Sequence, residues 1–140
     1  MCRHDTESFS GDSAAPRLAR AYVTRTATAV IGAPHAVIAN LGLVCSELVT
    51  NAVQAGSPEV TVDLDVHHSR VEIAVTDAAP GMPQALDVEP SEAHGRGLRV
   101  VAALSQRLVV QASEGRKTVS AQLVFDPPLT EADFRCDTSA

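Results

Sequence analysis

A polar stripe runs along an otherwise apolar stretch of the sequence between residues 37 and 55. Apolar residues recur there at intervals of three and four, as in an amphipathic helix, while one line along it carries the polar side chains Asn40, Glu47, Asn51 and Gln54. Glu47 and Asn51 are four residues apart, so a carboxylate and a carboxamide share one helix face. A solvent-facing stripe would explain this pattern by itself, and other segments must decide whether the stripe is a functional site.

Glycine residues follow a strand-terminal aspartate and precede a second helical segment. Asp77 ends a strand-like run and is followed by Gly81, and the pair Gly95 and Gly97 stands directly before an apolar helical pattern. Glycines at the start of a helix let backbone N–H groups approach a phosphate, and the helix dipole favours the anion. A glycine pair alone is weak evidence. The ordered set of a helix with Glu and Asn, a strand-end Asp and a Gly-x-Gly helix start indicates a specific site.

These residues resemble the motifs of the Bergerat-fold (GHKL) ATPases, which include gyrase, the heat-shock chaperone ATPase, histidine kinases and MutL. Residues 46–53 (SELVTNAV) resemble their N box, 76–81 (TDAAPG) the first glycine box and 94–98 (HGRGL) the second. The resemblance covers about residues 15–125. The chain is most similar to the compact, RsbW-like branch of bacterial anti-sigma factors that are also serine/threonine kinases, whose SELVTNAV and GKTV-like strand reappear at 46–53 and 116–119.

At the phosphate end, the resemblance implies roles for the N box and the second glycine box. Asn51 would hold Mg²⁺ through its carbonyl oxygen, a hard ligand that suits this ion. Glu47 would be the catalytic base that takes a proton from a serine or water attacking the γ-phosphate of ATP. Backbone N–H groups of Gly95 and Gly97 would contact the phosphates. The cofactor-binding residues implied for this second box are Gly95, Arg96, Gly97 and Leu98.

At the adenine end, the resemblance implies contacts from two neighbouring strands. Asp77 would accept a hydrogen bond from the adenine amino group, which distinguishes adenine from guanine. Thr118, on the adjacent strand, would support this contact through a water molecule. Gly81 would let the backbone pass close to the base, and residues 82–94 would form the ATP lid. The cofactors implied by the resemblance are therefore ATP and Mg²⁺.

Some residues depart from the family pattern. Ala79 replaces the first glycine of the usual Asp-x-Gly-x-Gly box, and no basic residue follows Asn51 at positions 54 and 55, where family members often have one. The lid contains the acidic residues Asp87, Glu89 and Glu92. Acidic groups near a triphosphate weaken its binding unless they point outward. Arg96 and Lys117 are the best remaining cations for a phosphate or a partner protein.

Length and composition limit the classes of protein to which the chain can belong. Its 140 residues, 45% of them hydrophobic, predict one soluble domain with a sizeable core. The net charge of −6 and 3% aromatic content argue against a nucleic-acid partner, which needs basic and stacking side chains. Three cysteines predict no disulfide framework, and Cys45 is predicted to be a small buried side chain. With no signal-like or membrane-spanning segment recognised, the sequence predicts a cytoplasmic protein.

The hydropathy pattern predicts the elements that must position these motifs. Helices are expected at about 14–31, 34–55 and 98–108, a hairpin at 60–66 and 71–75, and two last strands at about 108–113 and 118–125. Residues 1–13 and 127–140 are predicted to be a disordered and a flexible tail around an ATP-binding domain at 14–126. This order predicts an α+β fold, a two-layer sandwich whose mostly antiparallel sheet is covered on one face by helices.

The resemblance also implies a biological role. It is that of an anti-sigma factor with serine/threonine protein kinase activity, which blocks a sigma factor and phosphorylates an anti-anti-sigma antagonist protein. Relatives in this branch tend to form homodimers, and no direct contact with nucleic acid or membrane is implied. The alternative is a non-catalytic nucleotide-binding regulator that acts only by binding a partner protein. A two-domain histidine kinase is disfavoured because 140 residues leave no room for a helical dimerisation segment with its phosphorylatable histidine.

Overall fold

Six strands and three helices make up the part of the chain that the computed structural model describes, namely residues 3–32, 35–78, 86–87 and 95–130. The strands are β1 (Arg3–Ser10), β2 (Glu59–Val66), β3 (Arg70–Asp77), β4 (Leu86–Asp87), β5 (Arg107–Ser113) and β6 (Arg116–Val124). The helices are α1 (Ala15–Ile31), α2 (Ala36–Gln54) and α3 (Gly95–Leu104). The two long predicted helices and the four predicted strands are therefore confirmed to within a few residues.

The strands form one antiparallel sheet in the order β1-β2-β3-β6-β5-β4. In β2 and β3 every second side chain is buried, so Val62 and Ile73 face the helices while Thr61 and Glu72 lie on the other face. Helix α2 packs on the central strands β2, β3 and β6, with α1 and α3 in contact with it. This arrangement confirms the predicted α+β sandwich with helices on one face of the sheet.

The core lies between the helices and the buried face of the sheet. It is almost entirely aliphatic, as the low aromatic content requires, and its largest fully buried side chains include Leu41, Val44, Leu64, Ile73 and Leu123. Cys45 is 0% exposed in this core, and burial raises the pKa of its thiol to about 12. The predicted structural role of Cys45 is confirmed, because a thiol in this environment stays protonated and unreactive.

Helix α2 is long and apolar enough to cross a membrane if only its length and composition are considered. In the fold, its apolar positions are instead buried against the sheet and α1, as Leu41, Val44 and Leu48 show. The same helix carries the partly buried polar residues Glu47 and Asn51. The core helix of a soluble domain passes the same test of length and apolarity, and α2 has the contacts of such a helix.

Helix α3 begins and ends earlier than the apolar pattern predicts. The prediction was 98–108, whereas α3 spans Gly95–Leu104. Leu108 is buried, but it belongs to β5. The backbone N–H of Gln106 already donates a 2.8 Å hydrogen bond to the carbonyl of Gln122 on β6, so extended pairing starts before Leu108. A buried leucine two residues into a strand continues the apolar spacing of the helix before it, which explains the error.

Strand β1 corrects the predicted N-terminal tail. The sequence predicts disorder over residues 1–13, and this is wrong for residues 3–10, which pair with β2 along their whole length. Phe9 is the one apolar side chain in this strand. Because β1 is an edge strand held by backbone hydrogen bonds, it needs no alternation of apolar residues, and a search for that alternation does not detect it.

Side-chain hydrogen bonds also attach β1 to its neighbours. The hydroxyl of Tyr22 on α1 donates to Oδ1 of Asp5 at 2.7 Å, and burial, reinforced by this bond, raises the pKa of Tyr22 above its ordinary value. The hydroxyls of Ser8 and Thr61 lie 3.0 Å apart across β1 and β2. The first strand is therefore tied both to the helical layer and to the sheet.

The pairing of β1 is expected to depend on pH through His4. Its Nδ1 lies 2.8 Å from Oδ1 of Asp65 and its Nε2 3.7 Å from Oδ1 of Asp63, and the hydrogen bond to Asp65 raises the pKa of His4 above 6.5. A raised pKa contributes stability that is complete below the unfolded value and is lost as the pH rises through the folded value. Between about pH 6 and pH 8, Tm should therefore fall more in the wild type than in His4→Gln. The difference between the two should be small, because exposed ion pairs contribute only about 0–1 kcal/mol. Thermal denaturation measures this, and parallel pH profiles would contradict it.

Two other predicted segments are described only in part. At the start of the predicted C-terminal tail, the N–H of Leu129 donates to the carbonyl of His68 at 2.6 Å, and the partly buried Leu129 side chain packs against the core. Residues 131–140 lie outside the described part of the chain. In the predicted lid at 82–94, β4 pairs with β5, while the other lid residues and the preceding Gly81 lie outside the described ranges.

Candidate functional site

Glu47 and Asn51 occupy the predicted positions on α2. The helix is continuous from Ala36 to Gln54, so the two side chains lie one turn apart on the same face. Both are partly buried, whereas Leu48 and Ala52 beside them are buried in the core. The core-facing apolar residues fix the rotation of α2, and this rotation leaves the carboxylate and the carboxamide accessible at the margin of the core.

Asp77 is a buried carboxylate at the last residue of β3. Its exposed fraction is 4%, and it lies on the helix-facing side of the sheet. Lys117, its cross-strand neighbour on β6, places Nζ 3.5 Å from Oδ2 of Asp77. A buried carboxylate is costly unless an opposite charge or hydrogen bonds compensate it, and Lys117 supplies an opposite charge. Lys117, a predicted candidate for a phosphate or a partner protein, is thus placed beside the predicted adenine-binding carboxylate.

Thr118 does not lie where the predicted water-mediated support of Asp77 requires. It is the cross-strand neighbour of Thr76, and the two hydroxyl oxygens are 2.9 Å apart. Directly opposed residues share a face, and successive residues of a strand alternate between faces. Thr118 therefore lies on the helix-free face with Thr76, while Asp77 and Lys117 lie on the other. The assignment of Thr118 to the adenine site is corrected on this ground.

Ser57 links the end of α2 to the end of β3. Its N–H donates to the carbonyl of Ala52 at 3.2 Å, and its hydroxyl accepts a 2.9 Å hydrogen bond from the N–H of Ala78. Ala78 directly follows Asp77, and Asn51 lies in the last turn of α2. These bonds bring Asn51 and Asp77 to the same end of the fold. The sequence patterns gave no indication of Ser57, because a serine in a short turn between a helix and a strand is common.

The second glycine pair lies inside the first turn of α3. Gly95 is the first residue of the helix, and Gly97 follows two positions later. The first backbone N–H groups of a helix have no partner within it, and the helix dipole is positive there, so this end suits an anion. The opposite end of α3 leads into β5 at Arg107, which pairs with Gln122, far along β6 from Lys117. The N-terminus of α3 is therefore directed away from the end of the sheet at which Gln122 lies.

The arrangement has the chemical groups to bind a ligand that has an anionic part and an N–H hydrogen-bond donor. The last two turns of α2 supply a carboxylate and an amide oxygen, and the start of α3, which packs against α2, suits an anion. The end of β3 supplies a buried hydrogen-bond acceptor, the carboxylate of Asp77. Of the predicted site residues, Gly81 lies outside the described part of the chain, and the side chain of Arg96 is likewise not described.

Comparison with known proteins finds a family model that matches most of the chain. Residues 9–123 match the family model of the histidine kinase-like ATPase domain. A search of curated proteins gives no significant match. Among solved structures, the chain is similar to the crystal structure of the RsbU and RsbW domains of Rv1364c from Mycobacterium tuberculosis, with a TM-score of 0.66 and 21% sequence identity. The match covers 90% of this chain and 33% of that one, so this chain spans about a third of that structure, and the similarity shows a shared fold.

Proposed function

Because the chain belongs to the family of histidine kinase-like ATPase domains, we propose that it binds ATP with Mg²⁺ and is an anti-sigma factor that phosphorylates a serine of its antagonist protein. The family implies nucleotide binding, and the fold shared with an RsbW domain supports a regulatory ATP-binding role. The observation that carries the proposal is the buried carboxylate of Asp77, held at the same end of the fold as Asn51. At 4% exposure this carboxylate is a buried hydrogen-bond acceptor, and a purine amino group is a donor that fits it.

The donor set of the site fits this ligand. The amide oxygen of Asn51 is a hard ligand for Mg²⁺, and the N-terminus of α3 suits phosphate oxygens. Asp77 offers an acceptor to the amino group of adenine. When bound, Mg²⁺ would neutralise part of the charge on the phosphates. The chain's own residues then orient the nucleotide at both ends, with the base near β3 and the phosphates near α2 and α3.

Glu47 is the proposed catalytic base. It lies one helical turn before Asn51, next to the proposed metal ligand, and its side chain remains partly exposed. Its carboxylate would accept the proton of a serine hydroxyl while the hydroxyl oxygen forms a bond to the γ-phosphorus, and the bond from this phosphorus to the β,γ-bridging oxygen breaks so that ADP leaves. Partial exposure is required for this role, because the serine belongs to another protein and must reach Glu47 from solvent.

The proposed partners are proteins. We propose that the chain binds a sigma factor and an anti-anti-sigma antagonist, and that it can form a homodimer as members of this branch tend to do. The fold shared with an RsbW domain supports a protein partner, and the net charge of −6 disfavours direct contact with nucleic acid. A cytoplasmic location fits these partners, since sigma factors act on transcription.

The magnesium dependence of ATP binding tests the proposed site. We expect Asn51→Ala to lower ATP affinity in Mg²⁺ to about the value measured in EDTA, with little change in the metal-free affinity, because the variant removes only the metal ligand. Isothermal titration calorimetry with and without Mg²⁺ measures this coupling. Gln54→Ala, which removes an exposed amide from the same helix, serves as the control. A wild-type chain that binds no ATP would overturn the proposal.

A non-catalytic regulator is the second candidate function. Ala79 in the first glycine box and the absence of a basic residue at positions 54 and 55 favour it. Incubation with labelled ATP, Mg²⁺ and candidate antagonist proteins separates the two functions. Transfer of the label to a serine supports the kinase, whereas tight ATP binding without hydrolysis or transfer supports the non-catalytic regulator.

A further inference from the structure

Ser57 bridges two strands at the point where their pairing stops. The ladder between β2 and β3 ends with Val60 opposite Asp77, so Glu59 and Ala78 would be the next opposed pair. The hydroxyl of Ser57 takes the place of their direct hydrogen bond: it accepts from the N–H of Ala78 at 2.9 Å and donates to the carbonyl of Glu59 at 2.6 Å. Ser57 is 1% exposed, so its hydroxyl is shielded from water, while Glu59 and Ala78, which this relay joins, are exposed residues.

We propose that Ser57 is a positioning residue that sets the orientation of Asp77 for the purine amino group. The inference rests on the proposed ATP-binding function and deepens it. Ser57 holds the residue that directly follows Asp77 from the β2 side, while Lys117 attracts the Asp77 carboxylate from the β6 side at 3.5 Å. The relay thereby fixes the backbone at the end of β3, and the carboxylate is held in place between two strands.

Loss of the Ser57 hydroxyl has a defined consequence at this site. The N–H of Ala78 and the carbonyl of Glu59 would lose the partner that joins them, so the spacing of the two strand ends is no longer fixed and the ends can shift. Such a shift moves the backbone at Asp77 relative to Lys117. Residues Asn51 and Glu47 are anchored by the buried face of α2, and the phosphate end of the site is therefore left unchanged.

The inference is tested with two nucleotides that differ in one group. ATP and purine riboside triphosphate, which lacks the 6-amino group, are titrated in Mg²⁺ into the wild type and Ser57→Ala. We expect the wild type to prefer ATP by about tenfold or more, the value of one hydrogen bond to a charged group, and Ser57→Ala to lose most of this preference. The affinity for the analogue should stay within about twofold, because no amino group is involved.

Matched variants separate positioning from general stability. Ser57→Thr keeps the hydroxyl and should keep the preference for ATP. Ser57→Cys places a weaker hydrogen-bonding group at the same position and should lose the preference. The cysteine variant replaces the alanine variant in the test if the latter does not fold. Ser105→Ala is the control. The Ser105 hydroxyl donates a 2.6 Å hydrogen bond to the carbonyl of Val101, at the end of α3 opposite to Gly95.

The outcomes are distinct for the inference and for the proposed function. Equal weakening of both nucleotides in Ser57→Ala would overturn the positioning role while leaving ATP binding intact. A wild type that binds ATP and the analogue equally would show that Asp77 does not read the amino group, which also overturns the inference. Absence of ATP binding to the wild type would overturn the proposed function together with the inference.

Discussion

Replacement of Glu47 by glutamine is expected to lower the rate of serine phosphorylation by about 10²- to 10⁴-fold, the contribution typical of a general base. Glutamine has the same shape as glutamate but accepts no proton at neutral pH. The side chain is only partly buried on α2, so the substitution creates no cavity in the core. The loss should therefore appear in the transfer step, with ATP affinity changed by less than about threefold.

Initial rates of label transfer at saturating ATP, together with calorimetric titration of MgATP, measure this prediction. Glu7→Gln, which changes an exposed carboxylate on β1, provides a control of equal charge change and should transfer phosphate at the wild-type rate. If Glu47→Gln and the wild type transfer phosphate equally fast, Glu47 is not the base. If neither transfers phosphate to any antagonist while both bind ATP, the non-catalytic regulator is the correct function.

The elements that could be predicted from the sequence are those with one buried and one accessible face, because apolar residues then recur at a regular interval. Apolar residues at helical spacing place α2 in the core, and the same spacing puts Glu47 and Asn51 on one accessible face. Alternation in β2 and β3 reflects one buried face and one solvated face. Strand β1 could not be found in this way, because an edge strand with polar residues on both faces is defined by its backbone partners.

The details of the site depend on strand register, which the sequence does not specify. A motif comparison places Thr118 near Asp77, but a shift of one residue moves a side chain to the other face of a sheet. In the observed register Lys117 faces Asp77, and Thr118 faces Thr76. Ser57 was missed for a related reason, because its role comes from a contact at the open end of the β2–β3 hairpin with Ala78, which lies 21 residues further along the chain.

Replacement of Gly11 by alanine is expected to give a large loss of stability, about 3 kcal/mol or more in the free energy of unfolding, at the upper end of the cost of overpacking. A Cβ atom at this position would lie 1.7 Å from the carbonyl oxygen and 2.8 Å from the carbonyl carbon of Ser57. Both are backbone atoms, so no side-chain rotation relieves the clash. The N–H of Gly11 also donates to the carbonyl of Pro58 at 2.9 Å, and this hydrogen bond would have to break for the segments around Gly11 and Ser57 to move apart.

Gly115→Ala provides the matched comparison for this variant. Gly115 has open space around it but a φ of +77°, so alanine there meets only the conformational cost of a left-handed backbone, about 1–2 kcal/mol. Urea unfolding of both variants gives the two free energies. A loss in Gly11→Ala no larger than in Gly115→Ala would mean that the end of β1 moves away freely. A larger loss means that the turn after β1 is held against the backbone at Ser57, the segment that also supports Asp77.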